Sequence, residues 1–275
     1  YRNFSAGQLN APLVFGYAAF YLMLRRVHPA FTGALAAVMM LFKITPGILL
    51  IYLLWMRMWR EAAWMLGWAL AFTCVTIAIF GLDTHLNFLP MLRDMGYGRS
   101  TWADLGHVFF SDPANQSLNS LFHHLFAQTP QTLRPMLDLG PSAANVFTWM
   151  AALALLAIVL WQTRQQRRAS EKEPLSFSLF IFLSLLIPSL MWDHYLVQLF
   201  FPILALYGAL HSRGKWALRA VFVAGIVIIS IPFRFDAEPW KSGAGLLMMS
   251  FKLWGTLLLF SVNVLLFVRQ PVEKP

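Results

Sequence analysis

Charge is what this chain has least of. Of its 275 residues only 12% are Asp, Glu, Lys or Arg, against 59% hydrophobic residues and a mean hydropathy of +0.61. A soluble domain carries about 25% charged and about 45–50% apolar residues. Too few charges are present here to coat a water-facing surface, so a soluble globular fold is excluded. Cysteine is nearly absent too: Cys74 stands alone inside an apolar run, which excludes a disulfide framework and a cysteine-based metal site. There is no low-complexity segment and no internal repeat of the inverted-transporter kind. No signal peptide or basic leader precedes Tyr1, which reads as the start of a fragment lacking its N-terminal portion. The charge that is present is mostly basic, for a net +9. Such a balance can point to nucleic acid, but these basic residues sit in short clusters between apolar runs and read as topology. Nucleic acid is excluded as a partner.

Run length and breakers predict an all-α, polytopic integral membrane protein of about nine transmembrane or half-membrane helices, at about 20 apolar residues per full span. The expected segments are 8–24, 31–43, 46–56, 62–82, 143–163, 174–190, 195–211, 217–232 and 244–268, all within a single transmembrane domain covering residues 1–275. The connections sort by sign. Arg25/Arg26, Arg57/Arg60, Arg164/Arg167/Arg168/Lys172, Arg213/Lys215/Arg219 and Arg269/Lys274 hold 13 of the 21 basic residues, which makes those connections cytoplasmic by the positive-inside rule. All seven aspartates, Asp83, Asp94, Asp104, Asp112, Asp138, Asp193 and Asp236, fall on the other side. The largest connection, 83–142, is an outer-face loop with two amphipathic stretches at 102–110 and 117–127. A loop far longer than the usual four to six residues or so is commonly functional.

Parity locates an irregularity. Two cytoplasmic arginine pairs, Arg25/Arg26 and Arg57/Arg60, flank a stretch of roughly 30 residues, which is too short for two full spans of about 20 residues each. Two short helices meeting at a broken turn around Phe42-Lys43-Ile44-Thr45-Pro46-Gly47 resolve the conflict, and irregular backbone at such depth is tolerated where it lines a wet cavity. One long helix kinked at Pro46 is the alternative, and it puts one arginine pair on the wrong side.

Lys43 is therefore the first candidate. A charge within a span costs about 2.5–3.5 kcal/mol on insertion scales and usually faces a polar cavity. A compact ammonium suits a phosphate, as on a lipid headgroup entering sideways, although a lysine can also snorkel to the interface. The second constellation is Asn115-Gln116-Ser117-Leu118-Asn119 with His123 and His124. If 117–127 is a helix, its N-terminus offers caps and amide donors to phosphate or sugar oxygens, unless it is an ordinary capped surface helix. Trp192-Asp193-His194-Tyr195 is the third: a carboxylate beside an imidazole can move a proton or contact phosphate, while its aromatics also fit an interface belt. Gly7-Gln8-Leu9-Asn10 and Lys252 are weaker signals. No histidine pair is spaced i, i+4 and the outer carboxylates follow no ligand pattern, so no metal and no cofactor are expected.

In this order the segments Gly7–Asn10, Gly33-Ala34-Leu35-Ala36, Phe42–Pro46, Arg57-Met58-Trp59-Arg60, Asn115–Asn119 and Trp192–Tyr195 before Pro202 resemble glycosyltransferase family 87. Its members are similar to polyprenyl-phosphate-mannose-dependent mannosyltransferases of the GT-C superfamily. The resemblance implies a GT-C-like fold and a hexosyltransferase in a bacterial inner (plasma) membrane. It further implies inverting transfer of a mannose-like sugar from a polyprenyl-phosphate donor to a glycan or glycolipid acceptor on the extracytoplasmic face. It also implies an acidic base in a first outer loop upstream of Tyr1, and it places His124 where members often carry an arginine. The expected site is then Asp193 and His194 as catalytic residues, with Asp193 standing in for the base. Lys43 and His124 would sit at the donor phosphate, and Gln8, Asn10, Asn115, Gln116 and Ser117 at substrate. A lipid-linked sugar flippase or transporter, and a non-catalytic component of envelope polysaccharide assembly, are the rival readings.

Overall fold

The computed structural model describes residues 10–24, 26–100, 103, 108–164, 173–213 and 215–268. Within them it is 78% helical and contains no strand, only isolated bridges. The helices are α1 (Asn10–Met23), α2 (Pro29–Phe42), α3 (Ile48–Trp55), α4 (Trp59–Phe80), α5 (Leu82–Asp94), α6 (Leu118–Phe126), α7 (Gly140–Thr163), α8 (Glu173–Leu186), α9 (Phe200–Arg213), α10 (Trp216–Ser230), α11 (Leu246–Met249) and α12 (Phe251–Val268).

α8 is the centre of the bundle. Every side chain from Leu175 to Leu186 is buried, as expected of a helix that is apolar all round. Its Phe177 ring meets Tyr17, Phe20 and Tyr21 of α1, Tyr52 of α3 and Phe201 of α9 at centroid distances of 5.1–6.3 Å. α4 lies at the opposite extreme: it is 22 residues long and only 6% buried across its apolar window, so lipid must cover it. The bundle closes at two glycine contacts. A Cβ on Gly33 of α2 would fall 2.6 Å from Trp64 and 2.7 Å from the Met65 amide of α4. Gly225 of α10 and Gly255 of α12 face one another, each with its Cβ direction 3.1 Å from the other's carbonyl oxygen. Such close backbone approach is how small residues join membrane helices.

The chain breaks in the 42–47 stretch for a local reason. The Pro46 ring would collide with the Phe42 carbonyl and cannot donate to it, so α2 stops there. Lys43 is extended (φ −157°, ψ 131°) and donates its own amide to Met39 O. A 3-10 turn, Thr45–Gly47, then leads into α3. At 14 and 8 residues, α2 and α3 rise about 21 and about 12 Å, each short of a bilayer core of about 30 Å.

Several expectations change. Among the described residues three helices are long and apolar enough to cross a membrane, Trp59–Phe80, Gly140–Thr163 and Asp193–His211, a bent pair brings the number to four, and Pro29–Phe42, Thr45–Trp55, Glu173–Leu186 and Trp216–Ser230 are shorter apolar helices. The expected helix 244–268 is that pair: it bends by 64° between Met249 and Phe251. The expected helix 195–211 begins instead as a 3-10 segment, Asp193–Leu199, before α9. In the 83–142 loop the stretch 117–127 does form α6, capped by Ser117 through the Ser120 amide, whereas 102–110 lies largely outside the described residues. α5 was not anticipated.

Candidate functional site

The site is built around the 3-10 segment that follows the 187–192 turn. Asn115 and Trp192 form an antiparallel bridge: Gln116 N donates to Met191 O at 2.7 Å and Asp193 N to Ala114 O at 3.0 Å. Two of the expected constellations are thus adjacent in space. The second one supports the third. Asn115 Nδ2 donates to Phe109 O (3.2 Å) and Ser189 O (3.1 Å), while its Oδ1 accepts from Ser117 N (3.2 Å) and Met191 N (2.9 Å). Ser117 Oγ donates to Ser189 O at 2.8 Å, and Asn119 Nδ2 reaches the same carbonyl at 3.3 Å. Gln116 spans the bend in the last helix pair. Its Nε2 donates to Met249 O (2.8 Å) and Pro113 O (2.7 Å), and its Oε1 accepts from Lys252 N (3.0 Å). Met249 O and Lys252 N are backbone groups at the break of that pair, and one glutamine binds both from across the molecule.

Tyr195 and Gln198 point to one side of the 3-10 segment, where they meet Lys43. The Lys43 ammonium lies 2.9 Å from the centre of the Tyr195 ring and donates to Asn10 Oδ1 at 2.7 Å. Gln198 Nε2 donates to the same oxygen at 3.0 Å. Asn10 and Gln198 are fully buried, and Gln198 Oε1 is buried without a hydrogen-bond partner. Among the described residues the Lys43 charge therefore faces amides and a ring face, and no carboxylate. A desolvated cation–π contact is worth about 2 kcal/mol, which offsets part of the cost of burying the ammonium and leaves its charge uncancelled.

Asp193 and His194 begin the same segment. Asp193 Oδ2 accepts from Arg234 Nε (3.2 Å) and Nη2 (3.1 Å), with Lys252 Nζ at 3.9 Å. Its Oδ1 is 3.6 Å from His194 Nδ1. The far ring nitrogen, His194 Nε2, is buried and has no hydrogen-bond partner. Arg234 comes from the extended stretch after α10, and Lys252 stands at the start of α12, beside the bend that Gln116 holds.

The family model described as Glycosyltransferase family 87 matches residues 1–189. The chain belongs to glycosyltransferase family 87. No curated protein and no solved structure matches it. Family membership together with the apolar helices makes it a membrane glycosyltransferase. The family match takes in Lys43 and the Asn115–Asn119 motif and ends just before Trp192; the Asn115–Trp192 bridge ties Asp193 to the family region, and Lys43 meets the same segment at Tyr195.

Of the residues singled out in the sequence of this family member, Asn10, Lys43, Asp193 and His194 converge on the 3-10 segment. Gln8 lies outside the described residues. Asn115, Gln116 and Ser117 are buried beneath the segment, with their side-chain hydrogen bonds spent on backbone. His124 is fully buried as well. Its Nε2 lies 2.8 Å from Ser111 O, and a carbonyl only accepts, so that nitrogen carries the proton. Burial pushes its pKa down to about 4, with neighbouring His123 adding to the shift and the Ser111 carbonyl opposing it. His123 is likewise pushed down by burial, against the pull of the Asn119 carbonyl. Both rings are thus neutral at pH 7. Tyr195, Gln198 and Arg234 went unassigned in the sequence. A glutamine five residues beyond Asp193, inside an apolar run, was a usable signal for Gln198. Arg234 offered none, because its contact spans 41 positions.

Proposed function

We propose that this membrane glycosyltransferase moves a sugar from a polyprenyl-phosphate donor to a glycan or glycolipid acceptor, with inversion, on the extracytoplasmic side of a bacterial plasma membrane. The observation that carries the reading is the Lys43 ammonium, set at a helix break among neutral partners. A lipid-phosphate headgroup brings the charge that the ammonium lacks, and the short helices on either side give it a lateral approach. The clustering of basic residues in the connections expected to be cytoplasmic supports the orientation.

In the reaction the acceptor oxygen attacks C1 of the sugar as the C1–O bond to the phosphate breaks, and negative charge grows on the departing phosphate. A preorganised cation stabilises that charge. Lys43 supplies it, Tyr195 and Asn10 hold Lys43 in place, and His194 Nε2 offers a further contact to the phosphate. Asp193 is already engaged by Arg234 and Lys252, so in this reading it orients His194, and another carboxylate takes the acceptor proton. Asn115, Gln116, Ser117 and His124 act as scaffold, and the GT-C-like fold remains part of the proposal.

Transfer from defined polyprenyl-phosphate sugars by purified protein in lipid tests the reading. Lys43→Ala lowers transfer by about 10²–10³-fold and leaves folding intact; unchanged turnover in a folded Lys43→Ala protein overturns the phosphate role.

A further inference from the structure

α5 has an unusual position. It follows the lipid-covered span α4 after a single residue, Gly81 (φ 83°), and among the described residues nothing buries it. Leu82, Leu86, Phe88 and Leu89 are each 46–56% exposed. At 3.6 residues per turn, Leu82, Leu86 and Leu89 form one stripe with Leu92 beside it and Arg93 at its C-terminal end, Asp83 and Asp94 flank it, and Thr84, Asn87 and Met91 lie on the far side. This is the pattern of a helix with one apolar side, yet the protein does not cover that side.

α5 is nonetheless held firmly at both ends. His85 lies between Gly81 O (Nδ1, 3.0 Å) and Thr76 Oγ1 (Nε2, 3.0 Å), which clasps α5 to the end of α4. Beyond its C-terminus, Ser189 Oγ donates to Met95 O and Tyr97 OH donates to Ile187 O at 2.5 Å. Gly98 N donates to Asn119 Oδ1 at 3.1 Å. These contacts keep the apolar stripe from folding back onto the bundle. The stripe continues the exposed surface of α4, where Leu70, Val75, Ile79 and Phe80 face outward along a span that lipid covers. It meets that surface at the level where the span ends.

We infer that α5 is a membrane-surface helix, with its Leu82–Leu86–Leu89 stripe laid into the headgroup–acyl boundary of the bilayer and the exposed Arg93 at the end of the stripe reaching the headgroups. The helix carries Asp83, Asp94 and Arg93, a net charge of −1 counting those three residues. It binds through apolar area, without attraction to anionic lipid, and neutral lipid suffices. The inference is independent of the function proposed above.

Site-directed spin labelling of the full chain tests it. Cys74 is the sole cysteine, so Cys74→Ser provides a clean background for Asp83→Cys, Leu86→Cys, Asn87→Cys and Leu89→Cys, each labelled in phosphatidylcholine nanodiscs. Labels at 86 and 89 are expected to be open to oxygen and closed to a water-soluble nickel chelate, and labels at 83 and 87 to show the reverse. Equal nickel access at all four positions overturns the inference. So does shielding of 86 and 89 from both reagents with spin–spin broadening, which means a second copy of the chain covers the stripe. The accessibility pattern decides lipid contact whether or not the labelled variants transfer sugar.

Discussion

Two polar regions lie side by side in this protein and differ in what their side chains are left to do. The Asn115–Asn119 motif is saturated: Asn115 alone makes four hydrogen bonds, and Gln116 makes three, whereas further along α6 Ser120 Oγ, His123 Nε2 and His124 Nδ1 are buried without a hydrogen-bond partner. Both histidines are buried and neutral. The Lys43 region is sparse, with one ammonium against two amides and an aromatic face. Saturated polar side chains stabilise a fold and have little left for a ligand. A charge held among neutral groups is poorly stabilised until an anion arrives. On the proposed reading the first region is the frame of the site and the second is its working part.

Substitution can break this contrast. The largest effect is expected at Lys43. In Lys43→Ala, transfer falls by about 10²–10³-fold, the range for removing a preorganised group that stabilises developing charge, while thermal unfolding in detergent is unchanged or shifts upward. Asn115→Ala should do the opposite. Losing its four bonds leaves buried backbone groups unsatisfied at about 1–3 kcal/mol each at most, so the melting temperature drops and activity falls with the folded fraction. A stable, inactive Asn115→Ala protein would erase the distinction.

The histidines sharpen the comparison through pH. A folded-state pKa of about 4 for His124 lies below the usual value of about 6.5, so the unfolded chain binds the proton more readily. Stability is then complete above about pH 6.5 and declines as pH falls toward 4, by up to about 3 kcal/mol for this group. Thermal unfolding between pH 7.5 and 4.5 checks this. His124→Gln, which keeps a donor for Ser111 O, should flatten the slope without abolishing transfer. The smallest effect is expected at Tyr195. Tyr195→Leu removes the ring face and costs transfer about tenfold, in line with about 1–2 kcal/mol of cation–π energy. Tyr195→Phe keeps the ring and stays near wild type. Equal losses in the two variants would mean that the hydroxyl matters and the face does not.

Much of the architecture was readable from the chain. The apolar runs mark where helices lie, Ser117 caps α6, and Pro46 ends α2 four residues earlier at Phe42, because each of these depends on residues within a turn or two. The bend after Met249 was not readable. Gln116, which holds it, is 133 positions away, and nothing in Leu246–Phe251 announces a break. α5 escaped notice because its mixed composition and internal Pro90 hide the stripe within a polar loop.

For the site, the kinds of residue were legible and their roles were not. Scarcity of charge made the chain a membrane protein, and the order of short motifs indicated family 87, since both are properties of the chain in one dimension. Whether a polar residue serves the frame or the ligand depends on where its partners are. Asn115, expected at substrate, gives a donor to Ser189 O, 74 positions away. Asp193, expected as a stand-in for the base, meets Arg234 and Lys252 from beyond α9. Lys43 is the centre of the proposed site because, among the described residues, folding brings it an amide oxygen and a ring face and no carboxylate. Hydrogen bonds and ion pairs act over about 3–4 Å, and that proximity exists only once the helices have packed.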